Sequence, residues 1–125
     1  MPETTHTPTG QYPQTQPVHH LDLEGEADRL LAQLANHEQQ SQNIAREGGV
    51  SLVMMAMEGG DAVREHSTPG TTSVQVIRGH TTLIANGQSV SLRPGELLLF
   101  QPGVRHDIRA EEQSVVLLTI TGGDK

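Results

Sequence analysis

The stretch HTTLIANGQSVSLRPGELLLFQPGVRHDIRA, residues 80–110, decides the fold. It divides into short runs rich in Val, Ile, Leu and Thr: 80–87, 88–95, 96–103 and 104–110. The breaks carry turn chemistry, Asn86-Gly87, Pro94-Gly95 and Pro102-Gly103. Asn-Gly supplies the two positive φ angles of a type I′ turn, so IANGQSV predicts a two-residue hairpin. Short strands with a turn roughly every 8 to 12 residues predict an all-β sandwich or barrel.

The pattern continues on both sides. TSVQVIRG (72–79) and SVVLLTIT (114–121) read as further strands, with turn signals at Gly59-Gly60 and Pro69-Gly70. VSLVMMAM (50–57) is apolar on both alternating faces: Val53, Met55 and Met57 on one, Leu52, Met54 and Ala56 on the other. A strand with two apolar faces is buried on both. One face meets the core; the other needs a helix or a second subunit, and a homodimer is the expectation. Upstream, residues 22–37 place Leu23, Ala27, Leu30, Leu31 and Leu34 at helical spacing along one side. Asp22 suits an N-cap, Glu24, Glu26 and Asp28 suit the positive end of the helix dipole, and Gly25 weakens the first turn. Residues 1–17, rich in Thr, Pro and Gln, bury too little apolar surface to offset their ordering entropy. The expected organisation is a flexible arm over 1–20, a helical segment over 21–42 and a β-barrel over 43–122.

At 125 residues the chain holds one domain. Its net charge of −7 and eight scattered Lys and Arg argue against nucleic-acid binding. The absence of cysteine excludes disulfides and thiolate chemistry. No apolar run reaches the length of a membrane span, and the N-terminus lacks the basic and apolar regions of a secretion signal. A cytoplasmic protein, with neither membrane nor nucleic-acid partner, is the expectation. With only Tyr12 and Phe100 as aromatics, any pocket is lined by aliphatic residues, Met and His, which disfavours flat aromatic ligands.

Two segments resemble the paired motifs of the cupin superfamily: GDAVREHSTPGTTSVQVIRG (60–79) and GELLLFQPGVRHDIRA (95–110). In the first, Gly60, His66 and Gly79 fall on the pattern, while Thr68 stands where a second His belongs and Thr72 where a Glu belongs. In the second, Gly95, Gly103 and His106 match; Gln101 replaces a Pro and Ala110 an Asn. The resemblance covers roughly residues 44–121 and is similar in kind to small single-domain cupins. It implies a jelly-roll barrel of six to eight strands, preceded by a short helix and commonly dimeric.

The resemblance also implies a site of three His and one Glu inside the barrel, able to hold Fe, Mn, Ni, Cu or Zn. Matched residue by residue, only His66 and His106 remain as candidate metal ligands. Thr68 and Thr72 are poor replacements, since a neutral hydroxyl does not ionise near pH 7. Gln101 or His80 are candidates for a third ligand, with His80 more exposed, and Thr68, Thr72 and Gln101 are expected to line the pocket. Glu65 is expected to point away from His66 by strand alternation. Three readings of the two imidazoles stay open: a structural pair bonded to each other, to the hydroxyls or to water; an incomplete site for one divalent transition metal; or a metal-free pocket with His as general base. The last needs a group to orient the ring, and Asp107 is expected to face outward.

Three function classes follow: a cupin binding a small ligand in its barrel, its metal site reduced or absent; a metal-dependent dioxygenase or isomerase using His66 and His106; and an accessory barrel acting through its dimer and N-terminal arm. The missing His and Glu favour the first over the second; the fold alone does not select among them.

Overall fold

The computed structural model describes residues 14–36 and 40–122, and at positions 40, 65 and 66 the backbone only. Most of the expected arm, residues 1–13, lies outside the described residues, as does position 37 at the expected end of the helix. Among the described residues, one helix, α1 (Leu23–Leu34), precedes nine strands. They are β1 (Gln40–Glu47), β2 (Val50–Met57), β3 (Ala62–His66), β4 (Thr72–Arg78), β5 (Thr81–Ala85), β6 (Gln88–Leu92), β7 (Leu97–Phe100), β8 (His106–Ala110) and β9 (Ser114–Thr121). They form a five-stranded sheet, β1-β2-β9-β4-β7, and a four-stranded sheet, β3-β8-β5-β6. This is the all-β jelly-roll arrangement with an N-terminal helix. The strand count exceeds the expected six to eight, and β1 begins at Gln40, inside the segment expected to be helical. The sequence QSQNIARE lacks a clear apolar alternation; its register opposite β2, not its own pattern, makes it a strand.

The turns form as the sequence requires. Asn86 (φ 53) and Gly87 (φ 77) connect β5 to β6, with Ala85 opposite Gln88. At Pro94-Gly95 and Pro102-Gly103 the carbonyls of Arg93 and Gln101 accept the N–H groups of Glu96 and Val104.

β2 separates two apolar clusters. Met55 and Met57 join Val74, Val76, Leu83, Leu92, Phe100, Ile108, Val116 and Leu118 between the sheets. Met54 and Ala56 join Val115 and Leu117 under α1, where Ala27, Leu30 and Leu34 are fully buried. The second face of β2 is thus covered by the chain's own helix. Fully burying one such leucine contributes on the order of 2 kcal/mol, before the entropy cost of ordering it.

Polar contacts orient the helix. The Asp22 side chain accepts from the Gly25 N–H at 3.1 Å. A Cβ at residue 25 would stand 2.6 Å from that carboxylate, so the glycine that weakens the first turn also makes room for its cap. Arg78 of β4 reaches Glu24 and Asp28, each at 2.7 Å, and ties the helix to the sheet. Between the arm and the helix, the N–H of Gln16 and the ring of His19 meet Glu47 at the end of β1. The part of the arm that is described therefore lies against the barrel.

Candidate functional site

His66 ends β3 and His106 begins β8, and the two are cross-strand partners. The register reaches them through a bulge. Val63 pairs with Ile108 and His66 with His106, so three steps on β3 match two on β8. Without the extra residue Glu65 would oppose His106. Bulges of this kind change which residue of a strand meets its partner. The sequence pairing of the two histidines therefore has a backbone basis that strand alternation alone misses.

His106 is buried, 2% exposed, in a strand whose inward residues, Ile108 and Ala110, are apolar. Phe100 stacks on it, ring centroids 4.4 Å apart and planes 7° from parallel. Its Nδ1 lies 3.3 Å from the carbonyl oxygen of Val104. A carbonyl only accepts, so Nδ1 carries a proton, and in the neutral ring Nε2 is the acceptor. Asp107 pairs with Ile84 on the alternate, less buried position, as strand alternation requires.

The two threonines are also close together. Thr72 is 1% exposed, and its Oγ1 stands 2.5 Å from that of Thr68. Thr68 donates its single hydroxyl proton to the carbonyl oxygen of Gly70 at 2.9 Å. The proton between the two threonines must then come from Thr72. This gives a directed relay, Thr72 to Thr68 to Gly70, from the start of β4 into the loop between β3 and β4. The carbonyl of Thr68 accepts from the N–H of Gly103 at 2.9 Å, joining this loop to the one between β7 and β8. Gly70 is held against β9: a Cβ there would lie 1.3 Å from the carbonyl oxygen of Thr121. Thr72 pairs with Phe100 across β4 and β7, so the relay and the stacked ring pair meet at one end of the barrel.

Gln101 does not join this group. It is exposed at the turn before Pro102-Gly103, because its place in the Pro-Gly turn puts it outside β7. His80 is at the opposite end of the barrel. It precedes Thr81, which pairs with Ala110, whereas Ala85 pairs with His106. Five residues along β5 amount to about 16 Å. Its Nε2 meets Ser91 at 2.5 Å, and it cannot share a ligand with His106. The sequence reading missed Phe100 as a site residue; its position beside Gln101, at the altered second motif, was the available signal.

The chain belongs to the cupin family: the cupin domain model matches residues 53–121. No curated protein matches the chain. Among solved structures, it is similar to a conserved protein of unknown function from Streptococcus pyogenes, with 17% identity and TM-score 0.69 over 94% of this chain and all of that one. It is similar to a cupin superfamily protein from Desulfitobacterium hafniense, with 19% identity and TM-score 0.65 over 88% and 94%. It is also similar to salicylate 1,2-dioxygenase from Pseudoaminobacter salicylatoxidans, with 16% identity and TM-score 0.74, over 89% of this chain but 35% of the enzyme. At these identities the likeness is one of fold.

The donor set does not fit a complete cupin metal centre. Both hydroxyls standing in place of a His and a Glu are neutral, and both give their protons to neighbours within the loop. Among the described residues, which do not include the side chains of Glu65 and His66, no three His, Cys, Asp or Glu converge as ligands. Catalytic metal sites ordinarily supply three protein ligands. Nor is any helix among the described residues long and apolar enough to cross a membrane.

Proposed function

We propose that this cupin binds a small ligand in its barrel without a complete metal centre. The hydroxyl relay carries the reading. At the two positions where the family pattern expects a His and a Glu, the chain has a hydrogen-bonded pair, Thr72 to Thr68, anchored on a backbone carbonyl. It ties the loop between β3 and β4 through neutral hydroxyl groups. The buried ring of His106, held by the Val104 carbonyl and the Phe100 stack, is a polar group on the inner face of the barrel that a ligand would meet.

The test has two parts. Cobalt(II) titration followed by visible absorption is expected to give no tetrahedral or five-coordinate signature in the wild type and a clear one in Thr68→His/Thr72→Glu. Thermal-shift screening of small polar metabolites is expected to find ligands that stabilise the wild type but not His106→Ala. A ligand that stabilises both equally does not depend on His106.

A second reading, a metal-dependent dioxygenase or isomerase with a reduced ligand set, draws on the register of His66 with His106 and on the ligand-competent tautomer of His106. In that reading His66 and His106 would hold one divalent transition metal, and either histidine-to-alanine change would abolish its binding with little loss of fold.

A further inference from the structure

Leu97 and Leu99, exposed by 49% and 69%, are the most exposed large apolar residues of the described strands. Both belong to β7, at one edge of the five-stranded sheet. The other three edge strands carry polar or charged exposed residues: Ser41 on β1, Arg64 on β3, and Gln88, Ser89 and Ser91 on β6. Proteins ordinarily guard sheet edges with charge, proline or extreme shortness, because an open edge is a template for another strand. β7 is short, but it has neither charge nor proline within its four residues.

The sequence around it is symmetric. PGELLLFQP places Pro94, Leu97, Leu99 and Pro102 evenly about Leu98. In an antiparallel pair of two β7 strands centred on Leu98, Leu97 opposes Leu99 of the partner strand and Leu99 opposes Leu97. All four leucines then share one outer face, and Pro94 meets Pro102 where hydrogen bonding must end. A twofold interface needs a patch that is complementary to itself, and this strand has that property. A foreign peptide would require no such symmetry.

We propose that β7 pairs with β7 of a second copy of this chain, joining two five-stranded sheets into one. The patch differs from the second face of β2, which α1 covers. A seam of two four-residue strands is short beside the roughly 20–30 residues a side of a standard stable complex, so dimerisation is concentration-dependent.

The chain has no cysteine, which allows a direct test. Leu97→Cys and Leu99→Cys proteins are made separately, oxidised mildly alone and as a mixture, and read on non-reducing gels. In the proposed register, position 97 of one copy opposes position 99 of the other, so the mixture brings two thiols face to face. Like positions sit diagonally, roughly 7–8 Å apart and beyond disulfide reach. The mixture is expected to cross-link about tenfold faster than either protein alone, given that geometric requirement. Equal rates in all three samples overturn the register. Sedimentation of the unmodified chain is expected to show a species of twice 13.5 kDa growing with concentration, lost in a Leu97→Lys/Leu99→Lys variant with an unchanged circular dichroism spectrum. A wild type that stays monomeric at every concentration, or a variant that still dimerises, overturns the proposal.

Discussion

Removing one or other hydroxyl of the Thr72–Thr68–Gly70 relay should have unequal consequences, and the direction of the relay sets the order. Thr72→Val deletes a donor. Thr68 then loses one accepted hydrogen bond, keeps its own bond to Gly70, and remains half-buried, where water can help. The expected cost is about 0.5–1.5 kcal/mol, the net worth of an ordinary hydrogen bond. Thr68→Val deletes an acceptor. The Thr72 hydroxyl, 1% exposed, is left with a proton and no acceptor. Stranding a buried polar group costs about 1–3 kcal/mol, and the bond to Gly70 is lost as well. The double variant removes the stranded hydroxyl, so it should be more stable than Thr68→Val alone. Urea unfolding of the four proteins measures this cycle, with unchanged slopes showing that the comparison is two-state. The reasoning fails if Thr72→Val is the more damaging single change, or if the two costs simply add.

Other parts of the account have their own checks. Leu30→Ala removes a fully buried leucine from beneath α1 and should cost about 2.7–5 kcal/mol in chemical denaturation, as core leucine truncations do. Thr81 is fully buried, and its hydroxyl finds no partner among the described residues, so Thr81→Val should raise stability by about 1 kcal/mol, visible as a higher melting temperature. Gly70→Ala drives a methyl into the Thr121 carbonyl and should prevent closure of the β3–β4 loop, read as loss of soluble, cooperatively unfolding protein. Glu47 is held below its ordinary value of 4.5, first by the Gln16 N–H and then by His19. Its stabilising contribution is present above that value and lost as pH falls through the lower, folded one. Carboxyl NMR should find Glu47 titrating below 4.5, and His19→Ala should move it upward.

Much of the barrel is legible in the sequence because its signals are local. Asn86-Gly87 dictates a hairpin through backbone sterics, the Pro-Gly pairs end strands, and the double apolar face of β2 requires cover on both sides. What the pattern cannot choose is the cover: a helix and a second subunit are chemically equivalent to Met54 and Ala56, and three-dimensional packing supplies α1. β1 starts earlier than the sequence suggests because its identity lies in its pairing with β2. At the site, the spacing of motifs picks out His66 and His106, and the β3 bulge makes them partners. Gln101 and His80 enter the candidate set by nearness in sequence alone. Turn geometry exposes the first, and strand direction carries the second to the far end. The relay is hidden for another reason: a threonine pair has no sequence signature apart from the ligands it stands in for.

The most direct test of the central claim is elemental analysis of protein purified without a tag or chelator and then dialysed, beside a His66→Ala/His106→Ala variant. The expected result is a trace, non-stoichiometric transition-metal content that is the same in both proteins. A stoichiometric metal in the wild type, lost in the variant, would contradict the account and make the two histidines a working metal site.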